Sequence, residues 1–273
     1  MKWSLPILLP GLVAGYIFLF LAQEQHDSIV RQDISPALPT QMLNIFGHSY
    51  LNQIIAEALF IKTAVYYGGL TREMDDGNLK TMGQHFITMS QLHPKMLDIY
   101  YRAESVLAHR GDSHTRIANQ ILETGRSALP NQVALPFFEG FNYFYYLKNP
   151  IKAAEILRIA SNILDAPQWI GHLASMLMGS GGNIRSGLIW LKGMLSTVQD
   201  EDEKARYEKD IHAFEKAMQV QLALDRYAHR HGDYPDSLTA LVPADLAALP
   251  SWENDYLLDY QAPKLLLRKK SRH

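Results

Sequence analysis

Pro94, Pro130 and Pro167 stand 36 and 37 residues apart, within a stretch from about Gln41 to Ala228 whose apolar residues recur at spacings of three and four. That spacing predicts helix after helix, and proline cannot continue one, so each proline marks the edge of a unit. A tighter turn splits every interval again. Breaks fall at Gly68-Gly69, Asp75-Asp76-Gly77, His93-Pro94, Arg110-Gly111-Asp112, Leu129-Pro130, Asn149-Pro150, Ala166-Pro167 and Gly179-Ser180-Gly181-Gly182, leaving segments about one helix long. A single helix pair of that length cannot cover its own apolar face, so the pairs are expected to stack.

The positions inside the units correspond. Twelve, eight and five residues before Pro130 stand Ala118, Leu122 and Gly125; the same steps before Pro94 give Met82, Phe86 and Met89. Gly140 and Tyr143 follow Pro130 by ten and thirteen residues, and Ala153, Leu157 and Ala160 come after them. This pattern resembles the tetratricopeptide repeat, in which a small residue and an aromatic on one helix meet small, bulky and small residues on the next. The resemblance covers roughly residues 80–198, with an earlier unit around Ala56 to Tyr67, and it implies a mainly α solenoid. It is degenerate: Ala103 fills the small position of the first unit, and no proline closes the last near Asp200.

The amino terminus reads as a membrane anchor. Twenty-one uncharged residues separate Lys2 from Glu24, and at about 1.5 Å per residue they reach about 30 Å, the thickness of a bilayer's hydrocarbon core. A cleaved signal would need a small residue where Phe20 stands, so a retained single span is expected. Lys2 precedes the span while Glu24 and Asp27 follow it, which places the rest of the chain across the membrane: an inner-membrane protein with a periplasmic body. The domains expected are an anchor (1–23), a spacer (24–40), helical repeats (41–200), a capping helix (201–231) and a small carboxy-terminal segment (232–273).

That last segment changes character. Gly232-Asp233-Tyr234-Pro235, Ser237-Leu238 with Leu241, and Leu249-Pro250 precede two extended runs, Tyr256 to Tyr260 and Leu265 to Arg268, which predict a β-hairpin across Gln261-Ala262-Pro263. The order of these motifs after a long helix is similar to the carboxy-terminal part of type II secretion pseudopilins, and implies an alternative role in a secretion or pilus-type machine. The amino terminus lacks the Gly-Phe-Thr-Leu-x-Glu type of processing site of that family. Arg268-Lys269-Lys270-Ser271-Arg272 is expected to be a solvated tail.

Little in the chain suggests chemistry. The absence of cysteine removes thiol nucleophiles and cysteine-ligated metals, and a net charge of −2 gives no attraction for nucleic acid. His229 and His231 point apart on a helix, and no His-Glu-x-x-His spacing occurs, so no metal and no cofactor are expected. The turn Gly179–Gly182 lacks the Lys-Ser/Thr of a phosphate loop, and Asp200 to Glu203 open a helix, where negative charge suits the dipole. Catalysis would require His172 or His85 to converge with two carboxylates.

The densest feature is Phe137 to Tyr146, in which seven of ten residues are aromatic. Phe137, Phe141 and Phe144 follow helical spacing and are expected in the core; the other rings then point elsewhere. The sequence thus predicts a non-enzymatic envelope scaffold that binds a protein or peptide, with no small-molecule substrate. Its groove is expected to present Tyr100, Glu104, Glu139, Asn142, Tyr143 and Tyr146 from the first helix of each unit.

Overall fold

The computed structural model describes residue 34 and residues 49–70, 73–196, 198–252 and 255–270. The proposed anchor therefore lies outside the described residues, and of the spacer only Ile34 falls inside them. Among the described residues no helix is long and apolar enough to cross a membrane. These residues form nine α-helices followed by one antiparallel hairpin: α1 (Ser49–Gly68), α2 (Asp76–Leu92), α3 (Leu97–Leu107), α4 (Asp112–Ala128), α5 (Ala134–Tyr145), α6 (Pro150–Ser161), α7 (Gln168–Ser180), α8 (Ile184–Leu195), α9 (Glu201–His231), β1 (Tyr256–Gln261) and β2 (Lys264–Lys269). The chain divides into two compact units, residues 1–103 and 104–273.

In the first unit α1 packs on α2. Asp75 caps α2 by accepting the Asn78 N–H at 2.8 Å, and Asn78 in turn accepts the Ile34 N–H at 3.1 Å. Met82, Phe86 and Met89, the three positions aligned by the proline count, are all fully buried. Tyr100 is buried too, and its hydroxyl donates to the Pro94 carbonyl at 2.6 Å, bracing the turn between α2 and α3.

In the second unit the helices from α4 to α9 pack each on its successor in sequence. The turns that separate them were legible: Asn149 caps α6 with Pro150 in the first turn, Asn183 caps α8, and Asp200 caps α9. At the far end Gly232 takes the left-handed φ of 81° that stops α9, where His229, Arg230 and His231 sit in the last turn. Ala118, Leu122, Ala153, Leu157 and Ala160 all point inward, as the corresponding positions of the first unit do. Gly140 shows why a small residue is required there: a Cβ would stand 2.7 Å from Leu157 Cγ and 3.3 Å from the Ala153 carbonyl oxygen.

α7, α8 and α9 enclose a core of Ile184, Leu191, Tyr207, Phe214 and Leu224 that extends to Tyr256, Leu265 and Leu267 of the hairpin. Gly187 lets α8 approach this core. A Cβ there would lie 2.5 Å from Phe214 Cε1 and 2.9 Å from the Ser175 carbonyl oxygen, which is backbone and cannot turn away. Gly187→Ala is therefore expected to lower stability by about 2 kcal/mol despite the better helix propensity of alanine; a urea midpoint equal to that of the wild type would show that α8 is free to shift.

The hairpin pairs Tyr256 with Lys269 and Gln261 with Lys264. β2 packs on α7 and α9. The basic end of the chain is consequently not a free tail: Arg268 and Lys269 are strand residues, and the Lys270 N–H donates to the Asp255 carbonyl at 2.8 Å. Residues 271–273 lie outside the described residues.

Candidate functional site

The aromatic helix α5 buries Leu135, Pro136, Glu139, Gly140 and Asn142. Phe137 is half-buried against α6 and α7 and meets Trp169 edge-on, with ring centroids 5.4 Å apart. Phe141 and Phe144, expected in the core, are instead 38% and 42% exposed. The inward side of α5 is the one that carries Leu135, Glu139 and Asn142; at about 100° per residue Phe141 and Phe144 stand about 200° and 140° around the helix from Glu139.

Two polar residues occupy that inward side because partners meet them there. Arg126 of α4 donates from Nε to Glu139 Oε2 at 3.1 Å. Asn142 donates both amide hydrogens, to Glu104 Oε2 at 2.8 Å and to Asn119 Oδ1 at 2.9 Å. Burial pushes the Glu139 carboxyl above its usual range, with Arg126 working against the shift. Glu104 is pushed up to about 7, again by burial, and the Asn142 hydrogen bond only partly offsets it. Asn142 Oδ1 and Asn119 Nδ2 are sealed from solvent without a partner.

Of the six residues expected in a groove, the structure brings Glu104, Asn142 and Tyr146 together. Tyr146 is partly exposed and feels the Glu104 charge, which adds to burial in raising its hydroxyl. Tyr143 is partly buried against the cluster of α6 and α7. Glu139 and Asn142 are buried parts of the network, and Tyr100 is a buried brace of the first unit. The outward rings form a continuous patch: Phe141 stacks on Tyr145 at 5.4 Å, Tyr145 meets Tyr146 edge-on at 5.0 Å, and the Lys148 ammonium lies 5.0 Å from the Tyr145 centroid.

A second polar cluster gathers residues that lie far apart in the sequence. Asp210 of α9 is buried; His172 Nε2 lies 2.5 Å from its Oδ2, the Tyr256 hydroxyl donates to Oδ1, and Lys269 Nζ lies 3.1 Å from Oδ1. Burial alone would push Asp210 up, but the bonds from His172 and Tyr256 and the Lys269 charge more than offset it, so its carboxyl sits below the usual range. His172 thus meets one carboxylate, shared with a tyrosine and a lysine that fasten the hairpin.

A cleft of roughly 490 Å³ opens at Ser161, Asn162, Gln168, Ile189, Trp190 and Met194, and its lining includes no acid and no base. Among the described residues no group of three or more His, Asp or Glu is placed to hold a metal. A comparison of the chain with models of known protein families found no match, and a comparison with curated proteins found none either.

Proposed function

We propose that this protein is a non-enzymatic adaptor: an inner-membrane protein whose periplasmic helix pairs, tetratricopeptide-like in spacing, hold a partner protein or peptide in an envelope assembly. The observation that carries this reading is the exposed ring patch of Phe141, Tyr145 and Tyr146 beside Glu104. Large rings left in water beside a carboxyl suit recognition of a partner. The order in which α5, α6, α7 and α8 pack, each on the next, and the small-on-bulky contact of Gly140 with Leu157 support the repeat assignment.

The expected result is that Phe141→Ala combined with Tyr145→Ala lowers partner capture by more than about tenfold, as loss of two aromatic anchors should, while the helical circular dichroism is unchanged. Crosslinking in intact cells through a photoreactive group at the exposed position 144, introduced into both the parent chain and the double variant, followed by mass spectrometry, reads this directly. Equal yields of the same adduct from wild type and double variant would sink the proposal.

The pseudopilin-like reading keeps one specific support. The Tyr260 hydroxyl donates to the Pro235 carbonyl at 2.7 Å, which ties the Gly-x-Tyr-Pro segment to the hairpin. In that case the half-exposed Leu257 on β1 would be a contact, and Leu257→Glu should block assembly while the chain still folds.

A further inference from the structure

Glu104 is short of a partner. It accepts one hydrogen bond, from Asn142, and among the described residues no ammonium or guanidinium pairs with it. Beside it Asn142, fully buried, has both amide hydrogens committed and its Oδ1 without a donor. Asn119 Nδ2 is likewise without an acceptor, so what this point lacks is charge: a carboxyl with no cation against it. What would complete the cluster is a cationic donor. Next to it the rings of Tyr146, Tyr145 and Phe141 make an apolar wall, their centroids 5.0–6.1 Å apart in successive pairs. Tyr145 already takes the Lys148 ammonium on its ring, whereas Tyr146 is close enough to Glu104 to feel its charge.

We infer that this cluster is a receptor for one basic side chain, an arginine or lysine of the partner, whose charged tip pairs with Glu104 and whose methylene stem lies along Tyr146. The inference rests on the adaptor reading and specifies the chemistry of its partner. Charge complementarity decides the occupant: an acidic residue would meet the Glu104 carboxylate, an apolar one would leave Glu104 without a cation, and a guanidinium or ammonium brings hydrogen-bond donors along with its charge.

The test uses the full-length chain and two capped peptides, acetyl-Gly-Leu-Arg-Leu-Gly-amide and the same sequence with glutamine in place of arginine. The carboxyl carbon of Glu104, assigned by its loss in Glu104→Gln, is followed by NMR through a pH titration. Saturating arginine peptide is expected to lower the Glu104 midpoint by about one unit, equivalent to about tenfold tighter binding to the ionised form, while the glutamine peptide leaves it in place. In Glu104→Gln the arginine peptide should lose its advantage over the glutamine peptide. An unmoved midpoint, or undiminished preference in Glu104→Gln, overturns the inference. Failure here with loss of capture in the Phe141→Ala, Tyr145→Ala variant removes the cation receptor alone; failure here with unchanged capture removes the adaptor reading as well.

Discussion

Asp210→Ala is expected to destabilise the second unit by about 3–5 kcal/mol, the effect of removing one partner from a buried charged cluster. The carboxylate holds three elements at once: His172 from α7, Tyr256 from β1 and Lys269 from β2. Without it the Tyr256 hydroxyl stays buried with no acceptor, and nothing polar fastens β1 and β2 to α9 at that point. Tyr256→Phe should cost only about 1 kcal/mol, because Asp210 keeps its histidine and lysine. Amide hydrogen exchange across residues 256–269 locates the damage, which should be confined to the hairpin and the adjoining turns of α7 and α9. The sign of the pH effect follows from the depressed carboxyl of Asp210. Its stabilisation is present above the unfolded aspartate value, about 3.9, and disappears as pH falls below it. The gap between wild type and Asp210→Ala should therefore narrow in strong acid to about the 1 kcal/mol of the hydrogen bond that a protonated carboxyl still accepts from Tyr256; a constant difference from pH 2 to 7 would rule out the ionised carboxylate as the cause.

The helices were legible because punctuation and periodicity agree at nearly every boundary. Asp75, Asn149, Asn183 and Asp200 cap the helices that begin at predicted breaks, and Gly232 ends α9 within one residue of the predicted stop. The repeated spacing also placed the core, since Met82, Ala118 and Ala153 face inward at matched positions. What hydrophobicity could not decide was the face of α5. Seven rings in ten residues satisfy any helical phase, so ring count carries no directional signal; the close approach of Gly140 to Leu157 and the polar partners of Glu139 and Asn142 mark the inward side. Glu139 and Asn142 then went inside, where Arg126, Asn119 and Glu104 met them. A hint was present: Asn119 lies beside Ala118 and three residues before Leu122, a polar residue next to an otherwise apolar stripe. The Asp210 cluster gave no such hint. Its members are separated by 38, 46 and 59 residues along the chain, so only the folded hairpin brings them together.

Glu104→Gln should stabilise the protein, and by an amount that depends on pH. Burial holds the Glu104 carboxyl at about 7 in the folded chain, against about 4.3 when unfolded. The folded state therefore binds the proton more tightly. Below about pH 4 both states carry it and the residue is neutral in its effect. As pH rises the unfolded chain ionises first, the folded state loses ground, and the penalty levels off above 7 at about 3–4 kcal/mol. Glutamine keeps the acceptor for Asn142 Nδ2 and has no charge to bury, so the variant should match wild type near pH 4 and exceed it by that amount at pH 8 in urea denaturation. A difference of the same size at both pH values would mean that shape, and not charge, sets the cost of Glu104. If Glu104 receives a cation as proposed, the energy withheld from folding becomes available when that cation arrives. Accordingly the arginine peptide should raise the stability of the wild type more at pH 8 than at pH 5, and leave Glu104→Gln unchanged at both.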